Sequence, residues 1–233
     1  MKKKLIVGVF IFIISLNIFP YFSSNTNSKL LSDLEGTIYY TERVDGVLTL
    51  FKSDATLENK TFIYSHKGKG KTHHGDYNDN IIDFYYDKTN QTYYFIAMEN
   101  GSWSSFSLKE GEDKPVLLEE DAVEINTNYI QTQFNNRTVS SKQGSLYLKE
   151  NGNEKVIKKF YGIYAEKFTG YGPIGFSPDG KYLIYHSMEH LTPFGTLVEG
   201  LLKNSVGNTY IMDLSTMEST KYIDASPIQW IIE

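Results

Sequence analysis

The stretch Ile174-Gly-Phe-Ser-Pro-Asp-Gly-Lys-Tyr-Leu-Ile-Tyr185 decides the fold. It reads as a strand, a Pro-Asp-Gly reversal and a second strand that runs apolar. Pro and Asp set up the turn, Gly supplies a positive φ, and Lys181 faces water. A second hairpin follows at Thr209–Ile223, and it aligns without a gap on Thr49–Ile63: apolar pairs occupy equal positions around a polar turn. The same pattern returns at Ser105–Leu117 and Ser145–Ile157, where Leu108-Lys109-Glu110 and Leu148-Lys149-Glu150 stand forty residues apart. Hairpins also precede three of these four copies. They run over Ile81–Ile96, Val123–Val139 and Ile174–Tyr185, each with turn residues where the chain must reverse.

One hairpin of each kind makes a four-stranded antiparallel unit of about 40 residues, the period of a propeller blade. The first copy opens at Thr37-Ile-Tyr-Tyr with only three strands, and Pro227-Ile-Gln-Trp-Ile-Ile232 at the far end matches the opening of the last inner hairpin, Pro173-Ile-Gly-Phe176. The expected fold is therefore all-β: a β-propeller of four four-stranded antiparallel blades, its ring closed by the C-terminal strand pairing with the N-terminal three. That closure leaves no unpaired radial edge. Over Gly175–Tyr185 the chain resembles the TolB-like, WD-like β-propeller repeat, with its Ser-Pro-Asp-Gly-Lys signature between strands. Tyr210-Ile-Met-Asp-Leu-Ser-Thr216 is similar to the third strand and turn of that repeat. The resemblance implies a propeller with a binding role and carries over no catalytic residue, because the signature is structural.

Composition agrees. The chain has 233 residues, with 18 Tyr and 14 Phe against six Pro, and its 18 Gly fall largely at turns, which suits many short strands. A net charge of -5 gives no reason to expect nucleic acid as a partner. With no Cys there is no disulfide framework, no thiol chemistry and no lipid-modified cysteine. Lys2–Lys4 precede an apolar run from Leu5 to Phe19, the charged and hydrophobic parts of an export signal. Residues 1–22 fit a cleaved signal peptide or a retained N-terminal hydrophobic helix equally; in the second case that segment is a membrane contact. Residues 23–35, polar and without periodicity, read as a tether, and 36–233 as the propeller domain. The expected location is extracytoplasmic, membrane-anchored or secreted.

With strands named A to D in each blade, the A-to-B and C-to-D connections are short. The long insertions, His66–Asn80 and Ser187–Gly207, and the tyrosine-rich Phe160–Gly172 lie among the B-to-C and D-to-A connections. All five histidines fall on or beside that side, which is where binding is usually placed on a rigid scaffold. The candidate ligand-binding residues are His73, His74, Asp76, Tyr77, Tyr164, Tyr171, His186, Glu189 and His190. Imidazole and carboxylate at His73, His74 and Asp76 suit zinc, but adjacent histidines on a strand point to opposite sides. His186-Ser-Met-Glu-His190 matches H-x-x-E-H in letters only, since that motif needs a helix and His186 ends a strand. Gly-Lys-Gly-Lys at 68–71 lacks the spacing of a phosphate loop.

Thr196–Lys203 is the best helix candidate beyond the N-terminus, and Trp103 and Trp230 read as core or blade-contact residues. The tyrosines of 160–172, with Tyr77, could form an aromatic rim for a glycan or peptide. No nucleophile stands near a base. The expected function is a non-enzymatic binding module for a protein or cell-envelope ligand, with no catalytic residue, cofactor or bound metal. The alternative is a metal-dependent hydrolase or lyase using the loop histidines.

Overall fold

The computed structural model describes residues 28–44, 47–66, 81–118, 129–161, 170–188, 208–223, 225 and 228–232. The expected N-terminal hydrophobic helix, the His66–Asn80 insertion beyond its first residue, and the Thr196–Lys203 helix lie outside them. The described chain is all-β apart from one short helix, α1 (Ser28–Ser32). Leu30 and Leu34 are buried there, within the segment 23–35 read as a polar tether.

Among the described residues sixteen strands form four sheets of four. The first sheet holds β1 (Thr37–Val44), β2 (Val47–Asp54), β3 (Thr61–Tyr64) and β16 (Ile228–Ile231), in the order β16-β1-β2-β3. The second runs β4 (Ile81–Asp87), β5 (Thr92–Glu99), β6 (Ser102–Lys109), β7 (Val116–Leu117). The third runs β8 (Gln133–Phe134), β9 (Arg137–Lys142), β10 (Ser145–Glu150), β11 (Asn153–Lys158), and the fourth β12 (Tyr171–Phe176), β13 (Tyr182–Ser187), β14 (Asn208–Asp213), β15 (Ser219–Lys221). Every pairing is antiparallel. The C-terminal strand sits beside the N-terminal one, with Thr37 opposite Ile231 and Tyr40 opposite Ile228. This is the pairing that a closed four-bladed propeller requires.

In the third sheet the described part of Val123–Val139 pairs Gln133–Phe134 with β9, through Thr138 and Arg137; residues 119–128 lie outside the described residues. Two-residue turns at Asn100-Gly101, Gln143-Gly144 and Asn151-Gly152 place both residues at positive φ, which matches the right-handed twist of the strands they join.

The chain divides into two compact units: Leu31–Gln131 with Ile223–Glu233, and Thr132–Tyr222 with Met1–Leu30. The first unit holds sheets one and two around a core of Tyr39, Leu50, Phe84, Phe95, Phe106 and Leu108. The second holds sheets three and four around Val139, Leu146, Leu148, Leu183, Tyr185 and Met212. Trp230 is buried, as expected, and its indole N–H donates to the Glu35 carbonyl at 2.8 Å. Trp103 is not: it is 47% exposed, because it follows the Asn100-Gly101 tip and the inward positions of β6 begin only at Phe106 and Leu108.

Candidate functional site

The short connections are built by aspartates. Asp54 ends β2, and its carboxylate accepts from the Glu58 N–H at 2.8 Å and the Thr56 hydroxyl at 3.0 Å. Asp87 ends β4 and accepts from the Thr89 N–H at 2.9 Å and the Asn90 side chain at 2.7 Å. In the turn quoted at the outset, Asp179 accepts from the Ser177 hydroxyl at 2.6 Å and the Lys181 N–H at 3.0 Å, while Gly180 takes φ 68°. Asp213 accepts from the Ser215 N–H and hydroxyl, both at 2.7 Å, and from the Thr216 N–H at 3.2 Å. Burial pushes the carboxyls of Asp54, Asp179 and Asp213 up, but their hydrogen bonds outweigh it and all three lie below the usual range. Asp87 is lowered first by its Asn90 bond. An Asp followed by a donor two or three residues on is a turn with a mechanism, and Ser177–Lys181 forms the turn that its letters predict.

Of the residues named from the sequence, Tyr171 and His186 are described; His73, His74, Asp76, Tyr77, Tyr164, Glu189 and His190 lie outside the described residues. Tyr171 and His186 sit one register step apart on neighbouring strands, since Tyr171 faces Ser187 and Gly172 faces His186. Tyr171 is buried, with edge-on contacts to Phe160 and Tyr185, so its ring belongs to the core and not to an exposed rim. His186 is half-buried, its Nε2 3.1 Å from the Met188 sulfur.

His66 begins the first insertion and is itself buried. Its Nε2 lies 3.2 Å from a Glu99 carboxylate oxygen, its ring packs on Phe106 with centroids 4.6 Å apart, and Nδ1 has no hydrogen-bond partner among the described residues. Burial, then the Glu99 charge, raises the neighbouring Tyr64 phenol. Among the described residues no group of three or more His, Asp or Glu could hold a metal ion.

The described cleft lies at the opposite ends of these strands, among the turns. It measures about 350 Å³ and is lined by Arg137, Asp179, Gly180, Lys181, Tyr182, Asp213, Leu214 and Ser215. Two hydrogen bonds fix its floor: the Leu214 N–H donates to the Lys181 carbonyl at 3.0 Å, and Arg137 Nη2 donates to the Gly180 carbonyl at 2.7 Å. The Arg137 guanidinium lies 5.1 Å from the Phe134 ring centre and 5.3 Å from that of Phe176. Nothing in the letters Asn135-Asn136-Arg137 marks this arginine, because what singles it out is a neighbour forty-three positions away.

No family model and no curated protein is similar to this sequence. Solved structures that it resembles include TolB from Acinetobacter baumannii, at 13% identity and TM-score 0.29 over 80% of this chain and 41% of that one. A nidogen/laminin complex gives 8% identity and TM-score 0.25 over 80% of this chain and 61% of the other. An oligogalacturonate lyase in complex with manganese gives 13% identity and TM-score 0.23 over 83% and 50%. The chain spans less than two thirds of the length of each.

Proposed function

We propose that this chain is an extracytoplasmic binding module without enzymatic activity, which binds a protein or a cell-envelope ligand through its long connections. The observation that carries the reading is how chain length is divided between the two ends of each sheet. At one end the connections 55–60, 88–91, 110–115, 135–136, 151–152, 177–181 and 214–218 are all short. At the other end lie the short connections 45–46, 100–101, 143–144 and 222–227 together with all four long ones, 65–80, 118–132, 159–170 and 188–207. Extra chain at one end of a hydrogen-bonded scaffold costs little stability, because loop closure grows only slowly with length, and it supplies the surface on which binding residues are usually placed. The basic and apolar N-terminal segment supports export, and the membrane is a further contact if that segment is retained.

The test replaces 67–79 and 189–206 with short Gly-Ser turns, separately and together, and measures binding of the purified chain to isolated bacterial cell envelopes beside its melting temperature. Lost binding with an unchanged melting temperature supports the reading. Full binding by the doubly shortened chain overturns it. A rise in melting temperature with zinc, manganese or calcium that vanishes on substituting His73, His74 and His190 together would replace it with the metal-dependent alternative.

A further inference from the structure

We propose that the cleft among the turns after β8, β12 and β14 is a binding site for a small zwitterion such as a free α-amino acid, with Arg137 taking its carboxylate and Asp213 its ammonium group. The site does not rest on the loop reading above.

Four charged side chains line the cleft. Two of them satisfy each other, since Lys181 Nζ lies 3.1 Å from Asp179 Oδ2. The other two do not. Arg137 is half-buried, over the rings of Phe134 and Phe176, and spends one N–H on the Gly180 carbonyl. A guanidinium carries five N–H donors, and no described carboxylate pairs with the rest of this one. Asp213 places three hydrogen bonds on Oδ1, all from its own turn, and Oδ2 has no partner among the described residues. Both groups are half-buried, and the aromatic rings and the turn hold them in place.

The ligand class follows from what each charge would do. A simple anion gains Arg137 but meets Asp179 and Asp213. A simple cation gains Asp213 but meets Arg137 and Lys181. A neutral polyol uses neither charge. A molecule with a carboxylate and an ammonium group on one carbon satisfies both: the planar guanidinium fork matches a carboxylate two bonds at a time, and the free oxygen of Asp213 accepts from the ammonium. A volume of about 350 Å³ lies at the small end of the range for small-molecule sites.

The experiment is calorimetric titration of the full chain with the common free amino acids, with the N-acetyl and methyl-ester derivatives of the best of them, and with glucose. At least one free amino acid should bind, and blocking either charge should weaken it by about tenfold or more, the cost of one charged hydrogen bond. Arg137→Gln and Asp213→Asn should each do the same. Because Arg137→Gln also touches the Gly180 contact, the melting temperature of each variant is measured beside its binding, and Asp213→Asn, whose amide oxygen still accepts from the turn, should lose binding with the melting temperature nearly unchanged. No binding by any free amino acid up to about 10 mM, where even an affinity near 4 kcal/mol would register, overturns the proposal. So does glucose or a blocked derivative that binds as well as the zwitterion.

Discussion

In the unit of sheets one and two, the tie between sheets is a buried amide. Gln229 on β16 accepts from the Tyr86 N–H at 2.8 Å and donates to the Tyr86 carbonyl at 3.0 Å, so a single side chain completes both backbone groups of a residue on β4. Around it Tyr39 stacks on Tyr86 with centroids 4.6 Å apart, Tyr93 packs tilted against both, and Glu110 receives the Tyr86 hydroxyl at 2.8 Å and the Lys52 ammonium at 2.5 Å. In the unit of sheets three and four, the tie is Arg137 to the Gly180 carbonyl, helped by the Ser141 hydroxyl donating to the Tyr171 carbonyl at 2.7 Å. The amide is fully used by the fold. The guanidinium is not, and that is why a candidate ligand site forms beside one tie and not beside the other.

The largest expected effect is at the amide. Gln229 is 2% exposed, so Gln229→Leu strands a buried N–H and a buried carbonyl, and urea denaturation should show a loss of about 3–4 kcal/mol, roughly the sum of two unmade bonds. A loss under about 1 kcal/mol would mean that Tyr86 finds other partners, and the contrast between the two ties would fail.

Next comes Gly180→Ala. The residue sits at φ 68°, and a Cβ there would overlap both Arg137 and the Phe134 ring. Strain and displacement of the guanidinium together predict a loss of about 2–3 kcal/mol, read in the same way. Gly152→Ala is the control, since it shares a positive φ but meets nothing within 4 Å, and it should lose only about 1 kcal/mol.

Acid should act on both units. Asp54, Asp87, Asp179 and Asp213 are depressed in the folded chain, so each contributes stability that is present above the ordinary aspartate pKa of about 4 and lost as pH falls through the lower folded value. Glu110, lowered first by its Lys52 bond and then by Tyr86, behaves alike. Asp83 opposes them: burial raises its carboxyl, so its cost is relieved as pH falls through that raised value. Stability should therefore decline below about pH 4, and Asp213→Asn should flatten the decline, because the amide oxygen still accepts from the turn but does not titrate. An unchanged slope would remove Asp213 from this account.

The smallest effect is expected at Lys52→Met. Lys52 and Glu110 are each about one-third exposed, so the pair should contribute between roughly 0 and 1 kcal/mol, and less at high salt. A larger loss would show that Lys52 helps hold the tyrosine stack. Burial and then the Glu110 bond push the Tyr86 phenol up to about 12, and an upward shift of its titration should shrink in the Lys52→Met, Glu110→Gln double variant.

Sheet number and strand order were legible in the letters because hairpins are local: an apolar flank, a turn residue and a second flank lie within fifteen positions, and the closing pair followed from the repeat, since Pro227–Ile232 matches the opening of the last inner hairpin. Side-chain fate was less legible where it depended on strand ends. Trp103 and Trp230 look alike as letters, yet the first follows a hairpin tip and stays exposed, while the second lies mid-strand and finds the Glu35 carbonyl. Tyr171 looked like one more tyrosine in a tyrosine-rich connection, but it is the first residue of β12 and turns into the core.

The sequence by itself determined that this is an all-β chain of four repeated sheets whose last strand completes the first, and that its spare length is gathered at one end of each sheet. Period and turn chemistry act over a few residues and leave their mark in the letters. Only the tertiary structure decided that Gln229 would serve Tyr86, that Arg137 would sit over two rings against Gly180, and that Asp213 would keep an oxygen free beside it. Those outcomes depend on distance between strands that are far apart in the chain, and a one-dimensional pattern carries no measure of it.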